Sequence, residues 1–184
     1  MSTNWEIPSD LLAGKTVAIL GAGPDMTAEL AERAKGCYTI AVNRAVKFAP
    51  WADMFVALDP LHPFWEDMTD FSGLKIIGVP DTDYDALYCG MHYEKVTVDG
   101  AELQIRNNAL AAIRIAEKAG ATDIVLLGFD PERYEEIHAH TGFRGLVQGL
   151  DQITAELQSK GVSVRRYDSE NQYPGTRPAR RSDA

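Results

Sequence analysis

A three-layer α/β domain with a mostly parallel sheet is predicted by three features of this sequence. They are short apolar runs of strand length, helical periodicities between those runs, and a Gly-Ala-Gly-Pro loop where the first run meets the first helix. Apolar runs without polar alternation mark strands buried on both faces. Strands alternating with helices pair in parallel, because each crossover helix packs back on the sheet. Together these features describe a Rossmann-like fold, expected as one domain over residues 1–173.

Residues 16–20 are apolar and bounded by Lys15 and Gly21, which predicts the central strand. Pro24 suits the first helical position, where its missing N–H costs nothing. Leu30, Ala31 and Ala34 then face inward until Gly36 ends the helix. Strands are expected at 38–42, ending at Asn43-Arg44, and at 54–58, ending at Asp59-Pro60. A short helix is expected over 63–71 and another strand over 74–79, stopped by Pro80. From 81 to 106 the alternation breaks, and Asp99-Gly100 between two β-like runs predicts a small hairpin excursion over 94–106 near the mouth of the site.

Asn107 or Asn108 caps the next helix, whose Leu110, Ile113 and Ala116 recur at helical spacing until Gly120. An interior strand follows at 124–127. Leu146, Leu150, Ile153 and Leu157 form one stripe of the last helix, with Gly161 after it and a closing strand at 162–164. The Pro-, Gly- and Arg-rich tail over 174–184 is expected to be disordered.

Composition narrows the function classes. With 18 basic against 27 acidic residues the net charge is -9, which argues against a protein that coats nucleic acid, since such binding relies on Lys and Arg neutralising phosphates. Only Cys37 and Cys89 are present, without a CxxC or zinc spacing, so both are expected as thiols of a reducing compartment. The opening segment MSTNWEIPSDLLAG lacks a positive charge and a long apolar run, which predicts no signal peptide and no membrane span. A cytoplasmic location follows as an expectation, with a homo-oligomer left open.

In parallel sheets ligands sit beyond the carboxyl ends of the strands, so the residues after each strand are the candidate site. Gly21, Ala22, Gly23 and Pro24 follow a strand and precede a helix, where backbone N–H groups and a helix dipole suit a phosphate. Asp25 either caps that helix or holds a magnesium ion beside a diphosphate. A nicotinamide fingerprint would place Gly where Met26 stands and an acid where Asn43 stands; Arg44 keeps NADP open. Asn43, Asp59, Asn107, Asn108 and Asp130 share the expected edge, where such groups read ribose hydroxyls and base edges or, singly, serve turns and caps. His138 or His140, after the Gly128-Phe129-Asp130 strand end, supplies a general acid or base or belongs to a solvated loop. Tyr84, Tyr88 and Tyr93 either stack on a base or pack. Trp51 and Trp65 are expected to pack, and Arg165 and Arg166 to edge a strand.

The GAGP loop at 21–24, AVNRAVKFAPWADMFVALDP at 41–60, NNALAAIRIAEKAGATDIVLLGFD at 107–130 and the closing helix and strand touch most of residues 15–168. In these segments the chain resembles a family of Rossmann-like proteins related to bacterial sialyltransferases. That family includes archaeal 6-hydroxymethylpterin diphosphokinase and small phage-encoded proteins. The resemblance implies that Gly21, Gly23 and Pro24 form the phosphate-side loop and that Asn43 contacts the nucleotide. It also implies that Asn107 and Asn108 open the late helix, that Asp130 is the GFD aspartate, and that His138 or His140 is the functional histidine. The chain departs from its relatives in carrying Asp25 where they usually have Ser, and Asn108-Ala109 where many have Ser-Gly or Thr-Gly. It is also shorter than the sialyltransferases.

These readings lead to a nucleotide-binding transferase acting on a nucleotide or nucleotide-activated small molecule, by glycosyl or diphosphate transfer, with magnesium as the candidate cofactor. Asp130 with His138 or His140 would be catalytic. The alternatives are a non-catalytic nucleotide-binding or phage accessory protein and, third, an NADP-dependent oxidoreductase.

Overall fold

The computed structural model describes residues 3–4, 6–57, 70–77, 87–88, 94–98, 101–105, 107–130 and 146–167. In chain order the elements are β1 (Thr3–Asn4), β2 (Thr16–Leu20), α1 (Ala28–Glu32), β3 (Tyr38–Val42), a 3-10 helix (Asn43–Lys47), β4 (Met54–Ala57) and β5 (Leu74–Ile77). They continue as β6 (Leu87–Tyr88), β7 (Glu94–Val98), β8 (Ala101–Ile105), α2 (Asn108–Lys118), β9 (Asp123–Leu127), α3 (Leu146–Ser159) and β10 (Ser163–Tyr167). Eight strands form one sheet in the order β1-β6-β5-β4-β3-β2-β9-β10, and every described pairing in it is parallel. The predicted hairpin is present as the separate antiparallel pair β7 and β8.

The side-chain alternation of the strands sorts the core into two layers. Val17, Ile19, Ile40, Val42, Met54, Val56, Ile124 and Leu126 pack with Leu110, Ile113 and Ile115 of α2 and with Leu150, Ile153 and Leu157 of α3. On the opposite face, Ala18, Leu20, Ala41, Phe55 and Leu127 pack with Leu30 and Ala31 of α1 and with Ala45 and Val46 of the 3-10 helix. Two helical layers around one parallel sheet make the α/β, Rossmann-like three-layer sandwich that the sequence predicts. The face under α1 is richer in alanine, so a helix of five residues suffices to lie close against it.

Several local expectations need correction. The 16–20 strand is interior but not central, with five strands beyond its β3 side and edge strand β10 second on its β9 side. Pro24 is not in a helix. The Met26 N–H donates to the Gly23 carbonyl at 3.0 Å, closing a turn with Pro24 at its second position, where a fixed φ near that of proline is favoured. Helix α1 begins only at Ala28, and Thr27 caps it by accepting from the Leu30 N–H at 3.0 Å. Asp25 is therefore a turn residue and not the N-cap. The two-residue strands β1 and β6 were not anticipated, because two residues carry no readable periodicity, and β10 runs three residues past the expected 164. Of the helix expected over 63–71 only residues 70 and 71 are described, and they are not helical; the 174–184 tail, residue 58 of the 54–58 run and residues 78–79 of the 74–79 run lie outside the described residues.

Candidate functional site at the carboxyl edge

The chain turns in opposite directions after β2 and β9. From β2 it leads to α1 on one face; from β9 it leads to α3 on the other. These strands are neighbours, so the carboxyl edge has its topological switch point between them, the place where ligands of open parallel sheets bind. Leu20 pairs with both Ala41 and Leu127, so Gly21, Asn43 and Gly128 leave the sheet from three adjacent strands.

Gly21 and Gly23 are needed here for close approach. A Cβ on Gly21 would lie 2.6 Å from the Gly128 carbonyl oxygen and 3.0 Å from the Phe129 ring; on Gly23 it would lie 2.5 Å from the same oxygen. The Gly21 N–H donates to the Leu127 carbonyl at 2.8 Å and the Gly23 N–H to the Gly128 carbonyl at 3.1 Å. Two N–H groups expected to face a phosphate are thus used to tie the β2 loop to the end of β9. Gly128 has φ of 70°, and a Cβ there would lie 2.5 Å from Cε of buried Met26. Ala22 is half-buried and Pro24 exposed. Asp25 is half-buried with its Oδ1 buried beside Gly23.

Asn43 is the conformational outlier of the site. Its φ of 50° is the only left-handed value at a non-glycine position among the described residues. Asn tolerates this region better than most side chains, which are disfavoured there by contact of Cβ with the carbonyl oxygen. Its Oδ1 is buried and has no hydrogen-bond partner among the described residues. Arg44 beside it is exposed, while Ala45 and Val46 turn into the core.

Asn107 caps α2, its Oδ1 accepting from the N–H groups of Ala109 at 2.8 Å and Leu110 at 3.3 Å. Of the two asparagines it is the cap, and Asn108, the first helical residue, is buried. The cap is a structural use of Asn107 that already engages its oxygen. Asp130 is half-buried two residues beyond Gly128. Asp59, His138 and His140, like Trp65, Tyr84, Tyr93 and Cys89, lie outside the described residues. Among the described residues no three His, Cys, Asp or Glu side chains gather as a metal site.

Residues that sequence reasoning missed are Thr27, Met26 and Phe129. A Thr ahead of Ala-Glu-Leu was the available signal for the cap. For Met26 and Phe129, which buttress Gly128 and Gly21, no local pattern exists.

Among the described residues, shifted pKa values are found at groups away from this edge. Glu156 of α3 is held down at about 2 by hydrogen bonds from Arg114 and then Lys160. Burial pushes Glu117 up, but hydrogen bonds from Lys160 and Arg114 outweigh it and leave its pKa lowered. Burial raises the Cys37 thiol, with Asp123 adding to the effect, and burial takes Tyr38 up to about 12. Tyr38 also has Lys15 over its ring at 5.1 Å.

No family model matches the chain, and neither a curated protein nor a solved structure matches it. Among the described residues no helix is long and apolar enough to cross a membrane.

Proposed function

We propose that this protein binds a nucleotide or nucleotide-activated small molecule across the carboxyl edge of its sheet and transfers a glycosyl or diphosphate group from it. The observation that carries this reading is the switch point between β2 and β9, where the glycine loop, Asn43 and Asp130 meet one edge. In either reaction an acceptor hydroxyl oxygen forms the new bond, to an anomeric carbon or to a phosphorus. The bond to the leaving phosphate oxygen breaks with its electron pair remaining there, and the acceptor proton passes to a base. Asp59 or Asp130 is assigned to orient the acceptor or a magnesium ion, and His138 or His140 to move the proton. Magnesium would be held by Asp25 and would supply charge neutralisation to the phosphates. That role suits Asp25 because a carboxylate beside the loop repels a bare anion.

A thermal-shift screen against nucleoside mono-, di- and triphosphates, each with and without magnesium, tests the reading. At 100 times its dissociation constant a ligand adds about 2.7 kcal/mol, which moves the midpoint by about 5 °C or more in a domain of this size. A selective shift that grows with magnesium supports diphosphate chemistry at Asp25. No shift with any of them removes the reading.

One observation favours a second reading, a nucleotide-binding protein without turnover. The N–H groups of Gly21 and Gly23 are engaged with the Leu127 and Gly128 carbonyls, which leaves the loop fewer donors to offer a transition state. Nucleotide binding that persists while no acceptor reacts, in wild type and in Asp130→Ala alike, would select it.

A further inference from the structure

We infer that the group seated against Asn43 is a neutral hydrogen-bond donor, the free 2′-hydroxyl of a ribose, so that the site selects ribonucleotides over 2′-deoxy- and 2′-phosphorylated ones. This rests on the nucleotide reading above and goes beyond it by naming the sugar. Three observations carry it.

The first is position. Asn43 ends β3, the strand reached from β2 through α1, and in a βαβ unit of this kind the residue at that end meets the ribose of a nucleotide lying across the switch point. The second is an acceptor without a donor. The buried Oδ1 of Asn43 has no partner among the described residues, and a buried carbonyl oxygen left unpaired is destabilising, so few are kept without a use. The third is backbone conformation. Asn43 alone among the described non-glycine residues has a left-handed φ, at 50°, and backbone held in such sparsely populated regions clusters at ligand sites.

The chemistry of the acceptor decides between sugars. A 2′-hydroxyl can donate to Oδ1 and complete it. A 2′-deoxyribose offers only C–H at that place and leaves the oxygen unpaired. A 2′-phosphate sets acceptor oxygens against it, which disfavours NADP even though Arg44 stands next in sequence. The preference is for a donor and not for a positive charge, so it does not depend on which base the nucleotide carries.

The test is a calorimetric titration of the full chain with the four common ribonucleoside diphosphates, their 2′-deoxy counterparts and NADP, in wild type, Asn43→Gly and Asn43→Asp. Glycine accepts the left-handed backbone without strain, so Asn43→Gly removes the oxygen while keeping the fold. Asn43→Asp keeps an acceptor and a residue type that tolerates the same backbone. The expected result is that the best ribonucleotide binds wild type about tenfold or more tightly than its 2′-deoxy form, the range set by leaving a buried acceptor unpaired. That ratio should fall to about one in Asn43→Gly and persist in Asn43→Asp. Equal affinity for the ribo and deoxy forms in wild type, or NADP binding as tightly as the ribonucleotide, overturns this inference and leaves nucleotide binding standing. No binding of any nucleotide overturns both.

Discussion

The two edges of the sheet use their polar residues in opposite ways. At the amino edge, Asp123 accepts from both Thr16 Oγ1 at 3.1 Å and Arg165 Nη2 at 2.7 Å, and Asp53 accepts from the Thr39 N–H at 2.8 Å. The C-terminal halves of α2 and α3 are joined there by Arg114, Glu117, Glu156 and Lys160, with Lys160 reaching both carboxylates at 2.7 Å. At the carboxyl edge, by contrast, Asn43 keeps a buried acceptor unpaired on a left-handed backbone. The amino edge still has its own exception in the buried Nε of Arg165. The difference teaches where to look: carboxylates that are paired serve folding, whereas a polar atom held without a partner on a disfavoured backbone calls for a ligand.

The largest expected effect breaks the comparison at its hinge. Gly23→Ala places a Cβ 2.5 Å from the Gly128 carbonyl oxygen, backbone against backbone, so the β2 loop and the end of β9 must separate. We expect a loss of about 2 to 3 kcal/mol in urea unfolding, in the range for overpacking, accompanied by loss of nucleotide affinity. Next in size is Asp123→Ala, which leaves Arg165 and Thr16 without their acceptor. It should cost about 1 to 2 kcal/mol by the same assay and leave nucleotide affinity unchanged, because it lies at the opposite edge.

Asn107→Ala tests whether the carboxyl-edge asparagines are alike. Removing a cap that serves Ala109 and Leu110 should cost about 1 kcal/mol, followed by thermal denaturation, whereas Asn43→Gly should cost little stability and alter sugar preference. The smallest effect is the pH dependence of the amino-edge network. Glu156 titrates at about 2 when folded, below its ordinary 4.5, so its contribution is present above about pH 4.5 and is lost as pH falls toward 2. Its side chain is 43% exposed, so that contribution is about 1 kcal/mol or less. Glu156→Gln should lower stability by that amount near neutrality and match wild type near pH 2, so that the stability curve is flatter over that window.

The layers of the fold were legible because burial on two faces writes itself into sequence as apolar runs such as 16–20 and 38–42, and because Gly120 and Gly161, with φ of 90° and 82°, stand where helices must stop. The position of Asn43 after β3 was legible for the same reason. The start of α1 was not. Gly-x-Gly-Pro predicts a helix opening at Pro24, but the hydrogen bond from Met26 to Gly23 makes a turn first, and the Met26 side chain lies close to Gly128, more than 100 residues away. The use of Gly21 and Gly23 N–H groups was hidden likewise, since their partners belong to β9. Contacts between distant strand ends decide this site, and no local pattern encodes them.

Binding of a nucleotide at the carboxyl edge can be followed through the backbone amide resonances while the best ligand of the thermal screen is titrated in. We expect saturable shifts at Ala22, Asp25, Asn43, Arg44 and Asp130, with Thr16, Asp123 and Arg165 unmoved. Shifts concentrated at Thr16, Asp123 and Arg165, or no saturable shift around Asn43, would contradict it.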